Sequence, residues 1–297
     1  MIEIIIDDDA QGSRIDKFLM NRYEIGFPLM QKLIRSKNIK VNSKSISKPV
    51  RIEAGDEIKI YADLKLRKID EKPRVRVSDG AIEDFLSMMI YEDEHIFAID
   101  KPSGLAVQGR SLANFSIDDI LYNLKKRGYK LHLVHRLDRD TSGVLLLAKT
   151  KESAAILSEH FKNKTIKKTY LALVTGELSK NSGIIDIPLL KKRIDGVEKV
   201  YPDSALGSKA TTHFKLIEIY AGFCLVELMP VTGRTHQLRV HTKEIGNPII
   251  GDFKYGGKKV LMREVADRLC LHAKKIEIED YFGKKLVIES KTPQFAL

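Results

Sequence analysis

His135-Arg136-Leu137-Asp138-Arg139-Asp140-Thr141-Ser142-Gly143 runs without a break into Val144-Leu145-Leu146-Leu147-Ala148. The first part has the composition of a loop and the second that of a strand. A loop just before a strand is a place from which a reactive group can face a cleft. Asp138 stands there among two arginines and small hydroxyl residues. A guanidinium beside a carboxylate keeps it ionised, which suits a nucleophile or a base and not a proton donor. The plainer alternative is a surface turn closed by a salt bridge.

The chain of 297 residues is long enough for one large domain and a small one. Its 43% apolar content supports a packed core. A net charge of +11 points to an acidic partner, with nucleic acid first among the candidates. Only Cys224 and Cys270 occur, each within an apolar run, which excludes a disulfide scaffold or a cysteine zinc finger and suggests a reducing compartment. The acidic start, Met1 to Asp9, suits an edge strand better than a targeting peptide. No apolar run approaches the roughly 18 residues that a membrane span needs. A cytoplasmic protein with no membrane association is expected.

Residues 12–63 read as a small α/β unit. Helical spacing begins at Arg14, with Ser13 as the expected N-cap, and Pro28 opens a second helix through Arg35. Short strands follow at Ile39–Val41 and Glu57–Ile60. Between Arg14 and Arg51 there are ten Lys or Arg residues against two acids, Asp16 and Glu24. Such an imbalance favours phosphate binding over an ordinary solvated face. Residues 64–80 read as a charged linker, and residues 81–297 as the main domain. There, helices are expected near 81–89 and at 116–127, 153–161, 234–245 and 260–269. Strands are expected at 96–99, 144–148, 170–174, 214–218 and 223–228. This mixture, with neighbours suited to antiparallel pairing, predicts an α+β fold. The polar, basic stretch 188–208 reads as a mobile loop.

Four segments carry a resemblance: Asp100-Lys101-Pro102-Ser103-Gly104-Leu105, the stretch 135–143, Lys168-Thr169-Tyr170, and Thr232-Gly233-Arg234-Thr235-His236-Gln237-Leu238-Arg239-Val240-His241. In this order they resemble the RluA/RluC/RluD family of RNA pseudouridine synthases. The resemblance implies a largely antiparallel pseudouridine synthase fold over residues 85–290 and isomerisation of uridine in RNA. It makes Asp138 the catalytic aspartate, as nucleophile on ribose or uracil or as base toward a ribose proton. It makes Arg239 the ion-pair partner of Asp138, Tyr170 the aromatic that stacks on the target base, and Arg136 the wedge that fills the gap left by a flipped nucleotide. Arg234 is assigned to backbone phosphate. Breaking and remaking one glycosidic bond involves no redox change and no transferred group, so no cofactor and no metal are expected.

The segments Arg14-Ile15-Asp16-Lys17-Phe18-Leu19, Lys40-Val41-Asn42, Lys48-Pro49 and Gly55-Asp56 resemble the small RNA-binding domain first recognised in a small-subunit ribosomal protein, the S-four domain. Arg14, Lys32, Arg35 and Lys37 are its expected phosphate contacts. Arg139 in the central motif, together with this N-terminal domain, is more similar to the RluC branch, which implies large-subunit ribosomal RNA as the substrate of a monomeric enzyme. A transfer-RNA substrate stays open, as does a ribosome-assembly factor that binds RNA without essential catalysis. The set Asp138, Tyr170 and Arg239 separates the enzyme from the assembly factor, which has no need of it.

Overall fold

The computed structural model describes residues 1–7, 10–61, 75–109, 115–194, 196–260, 265 and 267–296. The chain divides into two compact units, Met1–Arg74 and Val75–Leu297. Most of the stretch read as a linker, 64–74, and half of the helix expected at 260–269 lie outside the described residues, and the described residues 265 and 267–269 are not helical.

In the first unit, β1 (Ile2–Ile5), α1 (Ile15–Arg22), α2 (Phe27–Arg35), β2 (Ile39–Val41), β3 (Lys44–Ser45) and β4 (Glu57–Ile60) follow in order. The sheet is antiparallel in the order β1-β4-β2-β3. The N-terminal segment is therefore an edge strand, and it belongs to this unit although it precedes the span 12–63. Ile15, Leu19, Met30, Leu33 and Ile34 of the helices pack on Ile39, Ile58 and Ile60. Ser13 does not cap α1. Its backbone is committed elsewhere, donating to Ala10 and accepting from Ile52, and Arg14 holds the cap position without a side-chain bond.

The second unit begins before the helix expected from sequence. Val77 is already in the core and the Ser78 hydroxyl caps α3 (Asp79–Ser87) by accepting from the Ala81 amide. Then come β5 (Met89–Glu92), β6 (Ile96–Lys101), α4 (Ile117–Lys125), β7 (His132–Leu133), β8 (Ser142–Ala148), α5 (Lys151–Asn163), β9 (Ile166–Thr175) and β10 (Ser182–Asp186). The chain continues through β11 (Leu189–Ile194), β12 (Val197–Pro202), β13 (Thr211–Tyr220), β14 (Phe223–Pro230), α6 (Gln237–Glu244), β15 (Leu271–Tyr281) and β16 (Lys284–Glu289). Ten of these strands form one sheet ordered β10-β13-β14-β9-β15-β8-β6-β5, with β16 on β15 and β7 on β8. Among the described residues only the β15–β8 pair is parallel, so the fold is α+β with a mixed, mostly antiparallel sheet.

The run 144–148 is apolar throughout because β8 is covered on both faces. Successive side chains of a strand point to opposite sides. Leu145 and Leu147 enter a core with α3 and α4, whereas Val144, Leu146 and Ala148 enter another with Leu157 of α5. Gly143 has φ +106°, and a Cβ there would lie 2.2 Å from the Ala273 carbonyl oxygen. The motif ends in glycine because β15 crosses its backbone at that point.

Most of the stretch 188–208 is strand and not loop. β11 and β12 pair from Leu189↔Pro202 to Ile194↔Val197 as a two-stranded ribbon. The outward basic residues of β11 concealed it, since a ribbon with polar faces carries little apolar alternation. No helix among the described residues is long and apolar enough to cross a membrane.

Candidate active site

Asp138 lies in the loop that enters β8, and that loop is pinned from below. Lys101, at the end of β6, is completely buried, and its Nζ donates to the carbonyls of Pro102, Leu105 and Arg139, each at 2.9 Å. The Gly104 amide also donates to the Arg139 carbonyl, and the Ser103 hydroxyl donates to that of Asp140. Burial pushes the Lys101 ammonium down to about 7, against the opposing pull of Asp140 and Asp138. The motif 100–105 is thus a clamp on the Asp138 loop, a role the sequence reading did not assign to it.

The second support comes through α6. Arg239 is nearly buried and points two ways. Its Nε and Nη2 donate to Asp252 at 2.8 and 2.6 Å, and its Nη1 stands 3.9 Å from Asp138 Oδ2. The ion pair expected with Asp138 is therefore the looser of two, and Asp252 is the partner that fixes the guanidinium. Burial lowers the Arg239 pKa, but Asp252 and then Asp138 outweigh it, for a net rise. Asp252 itself sits behind Gly251, where φ is +77° and a Cβ would meet the Arg268 carbonyl at 2.0 Å. The glycine-rich stretch 251–257 supplies this carboxylate.

α6 begins at Gln237, three residues later than expected. The Gln237 side chain accepts from the Thr232 hydroxyl and the Arg234 amide, and donates to Thr211 and Thr212. That staple holds residues 232–236 as a loop. His236 is the last of them, in the left-handed region at φ +53°. Its Nε2 is 3.8 Å from Asp138 Oδ2 and its Nδ1 is 2.6 Å from the Tyr255 hydroxyl.

Two cavities meet at Asp138. A broad cleft of about 900 Å³ is bordered by Arg136, Arg139, Lys191, Lys254 and Arg268. A smaller chamber of about 110 Å³ lies beside it, bounded by Tyr170, Lys168, Leu238, Leu271 and Arg234. Arg136, Asp138, His236 and Arg239 border both. Tyr170 stands mid-strand in β9, and burial, aided by the Asp138 charge, pushes its phenol up. Lys168 is two residues away on the same face of β9, its ammonium lowered by burial and by Lys164.

Of the residues expected at the site, Asp138, Tyr170, Arg239, Arg136 and Arg234 converge there. Arg136 is exposed, and Arg234 Nε donates to the Lys209 carbonyl at the chamber rim. His135 is not a free acid or base. Its Nε2 accepts from the Leu146 amide and burial pushes it down to about 3. His241 is held by Thr212 and the Ile187 carbonyl.

In the first unit Arg14 is engaged by Asp16 through two contacts, Nε–Oδ1 3.1 Å and Nη2–Oδ2 2.7 Å. Lys32 and Arg35 border a surface groove with Phe27, which is exposed at the start of α2. Lys37 follows the helix with φ +58°.

Asp138 thus stands where a broad cleft of mixed charge, with cations in excess, meets a small aromatic-walled chamber. The family model described as RNA pseudouridylate synthase matches residues 95–244. The ribosomal large subunit pseudouridine synthase C of Vibrio parahaemolyticus is 36% identical over 278 residues, covering 92% of this chain and 87% of the relative. The protein of the same name from Escherichia coli K12 is 38% identical over 278 residues, or 91% and 86% of the two chains. Among solved structures, human RNA pseudouridylate synthase domain containing 4 superposes with a TM-score of 0.61 at 28% identity, covering 73% of this chain and 92% of that one. This chain belongs to the RNA pseudouridylate synthase family and is an RNA pseudouridine synthase.

Proposed function

We propose that this enzyme converts specific uridines of large-subunit ribosomal RNA to pseudouridine, with Asp138 as the reactive carboxylate. The observation that carries the reading is the position of Asp138 at the junction of the cation-lined cleft and the Tyr170 chamber. The cleft suits a phosphate backbone and the chamber a single base turned out of its stack. Tyr170 offers that base an aromatic wall, Arg136 takes the space it vacates, and Arg234 meets backbone phosphate.

The reaction cleaves the bond between uracil N1 and ribose C1′, turns the base, and joins C1′ to C5. The C5 proton is lost to solvent and N1 gains one, so the product is an isomer and no oxidant or reductant is consumed. Asp138 can attack C1′ or the uracil ring, or remove a ribose proton. In each route it acts as an anion, and Arg239 and the loop that Lys101 clamps hold it in position.

The first unit adds RNA affinity in the manner of an S-four domain, through Lys32, Arg35 and Lys37, with Phe27 as a stacking surface. Arg14 contributes less, its guanidinium being shared with Asp16. The enzyme works as a cytoplasmic monomer without a cofactor.

The test is to incubate the protein with unmodified ribosomal RNA and map carbodiimide-reactive pseudouridines by reverse transcription. Discrete positions in the large-subunit RNA are expected. Modification of transfer RNA alone would move the substrate. Tight RNA binding with no product from either would favour an assembly factor.

A further inference from the structure

Four groups on four separate segments of the chain form a path that ends at Asp138. The Val200 amide of β12 donates to the Tyr255 hydroxyl at 3.1 Å. Having accepted that bond, the hydroxyl can turn its own proton to His236 Nδ1, 2.6 Å away. A ring nitrogen that accepts is unprotonated, so the proton of a neutral imidazole must sit on Nε2. Nε2 is the atom that faces Asp138 Oδ2 at 3.8 Å, the same oxygen that Arg239 Nη1 approaches at 3.9 Å. Two nitrogens on different residues thus stand within 4 Å of the same carboxylate oxygen.

The backbone at His236 supports a functional reading. It is not glycine, yet it is held at φ +53°, immediately before α6. Such a conformation persists only where the surroundings over-determine it, and it gathers at sites of function. Here it brings the ring under Tyr255 and beside Asp138.

We propose that His236 is a positioning residue for Asp138, presenting a neutral Nε2–H to Oδ2, and that Tyr255, held by Val200, sets that tautomer. The proposal rests on the reading of Asp138 as the reactive carboxylate. It also links the ribbon to the chemistry, because Lys191 and Glu198 of β11 and β12 border the cleft that would receive RNA. The position of the ribbon reaches the carboxylate through one hydroxyl and one imidazole.

The experiment compares steady-state turnover of unmodified large-subunit ribosomal RNA by wild type, His236→Ala, His236→Gln, Tyr255→Phe, the double variant His236→Ala/Tyr255→Phe, and Asp138→Asn. His236→Ala should lower kcat about thirtyfold, with KM changed less than about twofold, as expected when a group that orients the reactive carboxylate is lost. Tyr255→Phe should lose about fivefold. The double variant should be no slower than His236→Ala alone, because both act through one path. His236→Gln, which keeps a side-chain N–H, should stay within about fivefold of wild type.

Wild-type kcat in His236→Ala, beside an inactive Asp138→Asn, would overturn the proposal and leave the reading of Asp138 intact. So would multiplying losses in the double variant, or losses confined to KM. Turnover by Asp138→Asn would instead remove the reading on which the proposal stands. If His236→Ala fails to fold, wild-type turnover by Tyr255→Phe overturns the role given to that hydroxyl.

Discussion

Arg239 and Asp252 form a two-pronged ion pair, with Nε–Oδ2 at 2.8 Å and Nη2–Oδ1 at 2.6 Å, in which the carboxylate is fully buried and the arginine side chain only 8% exposed. A guanidinium held in this way cannot swing toward solvent, so its remaining nitrogen stays near Asp138. Breaking one partner of a buried pair leaves an uncompensated charge, which costs about 3–5 kcal/mol. Asp252→Ala should destabilise the second unit by that amount in denaturant titration. It should also lower turnover about a hundredfold, since small displacements of a positioning group have effects of that size.

Lys101 gives the stability of the second unit a pH dependence of defined sign. Its folded pKa, about 7, is below the 10.5 of an unperturbed lysine. Between those values the unfolded chain binds a proton that the folded chain lacks, so stability rises with pH across that window. Below it, the folded protein carries a buried charge. Unfolding measured from pH 6 to pH 10 should show this rise, and Lys101→Met should flatten it. The same variant should slow turnover, because the Arg139 carbonyl and the Asp138 loop lose their clamp.

Gly143→Ala tests the crossing of β8 and β15. The new Cβ would meet the Ala273 carbonyl oxygen at 2.2 Å with φ at +106°, and neither backbone can give way without breaking the parallel pair His272↔Ser142. A loss of at least about 3 kcal/mol, on the order of 10 °C in melting temperature, is expected. Calorimetry would decide it.

Replacing Lys32, Arg35 and Lys37 together by glutamine should weaken RNA binding and leave kcat at saturating RNA unchanged. Each lost phosphate contact removes about 0.7–0.9 from the slope of log affinity against log salt, so the slope should fall by roughly 2 to 3. An unchanged slope in a filter-binding titration would show that α2 does not meet the RNA backbone.

The parts legible in sequence are those set by local pattern. The polar loop before the apolar run placed Asp138 at the edge of β8, and Ser116 starts α4 with a capping box that includes Asp119. Where long-range contacts decide, the pattern says less. Asp252 looked like part of a turn because its partner lies 13 residues back on a helix. The start of α6 was misplaced because Gln237 uses its side chain to hold residues 232–236 out of the helix. β15 went unassigned although Ile276 and Ile278 alternate with polar residues, and its role as the parallel partner of β8 depends on strands far apart in sequence. The tautomer of His236 was beyond sequence altogether, since it depends on the Tyr255 hydroxyl and the Val200 amide meeting in space.

The most direct measurement is release of tritium from C5 of uracil in unmodified large-subunit ribosomal RNA by wild type and by Asp138→Asn, with RNA affinity measured on both. The account predicts release by the wild type and none by the variant, at affinities within about threefold of each other, because the substitution removes a reactive anion and leaves the cationic cleft in place. Release by Asp138→Asn at a rate near that of the wild type would contradict it.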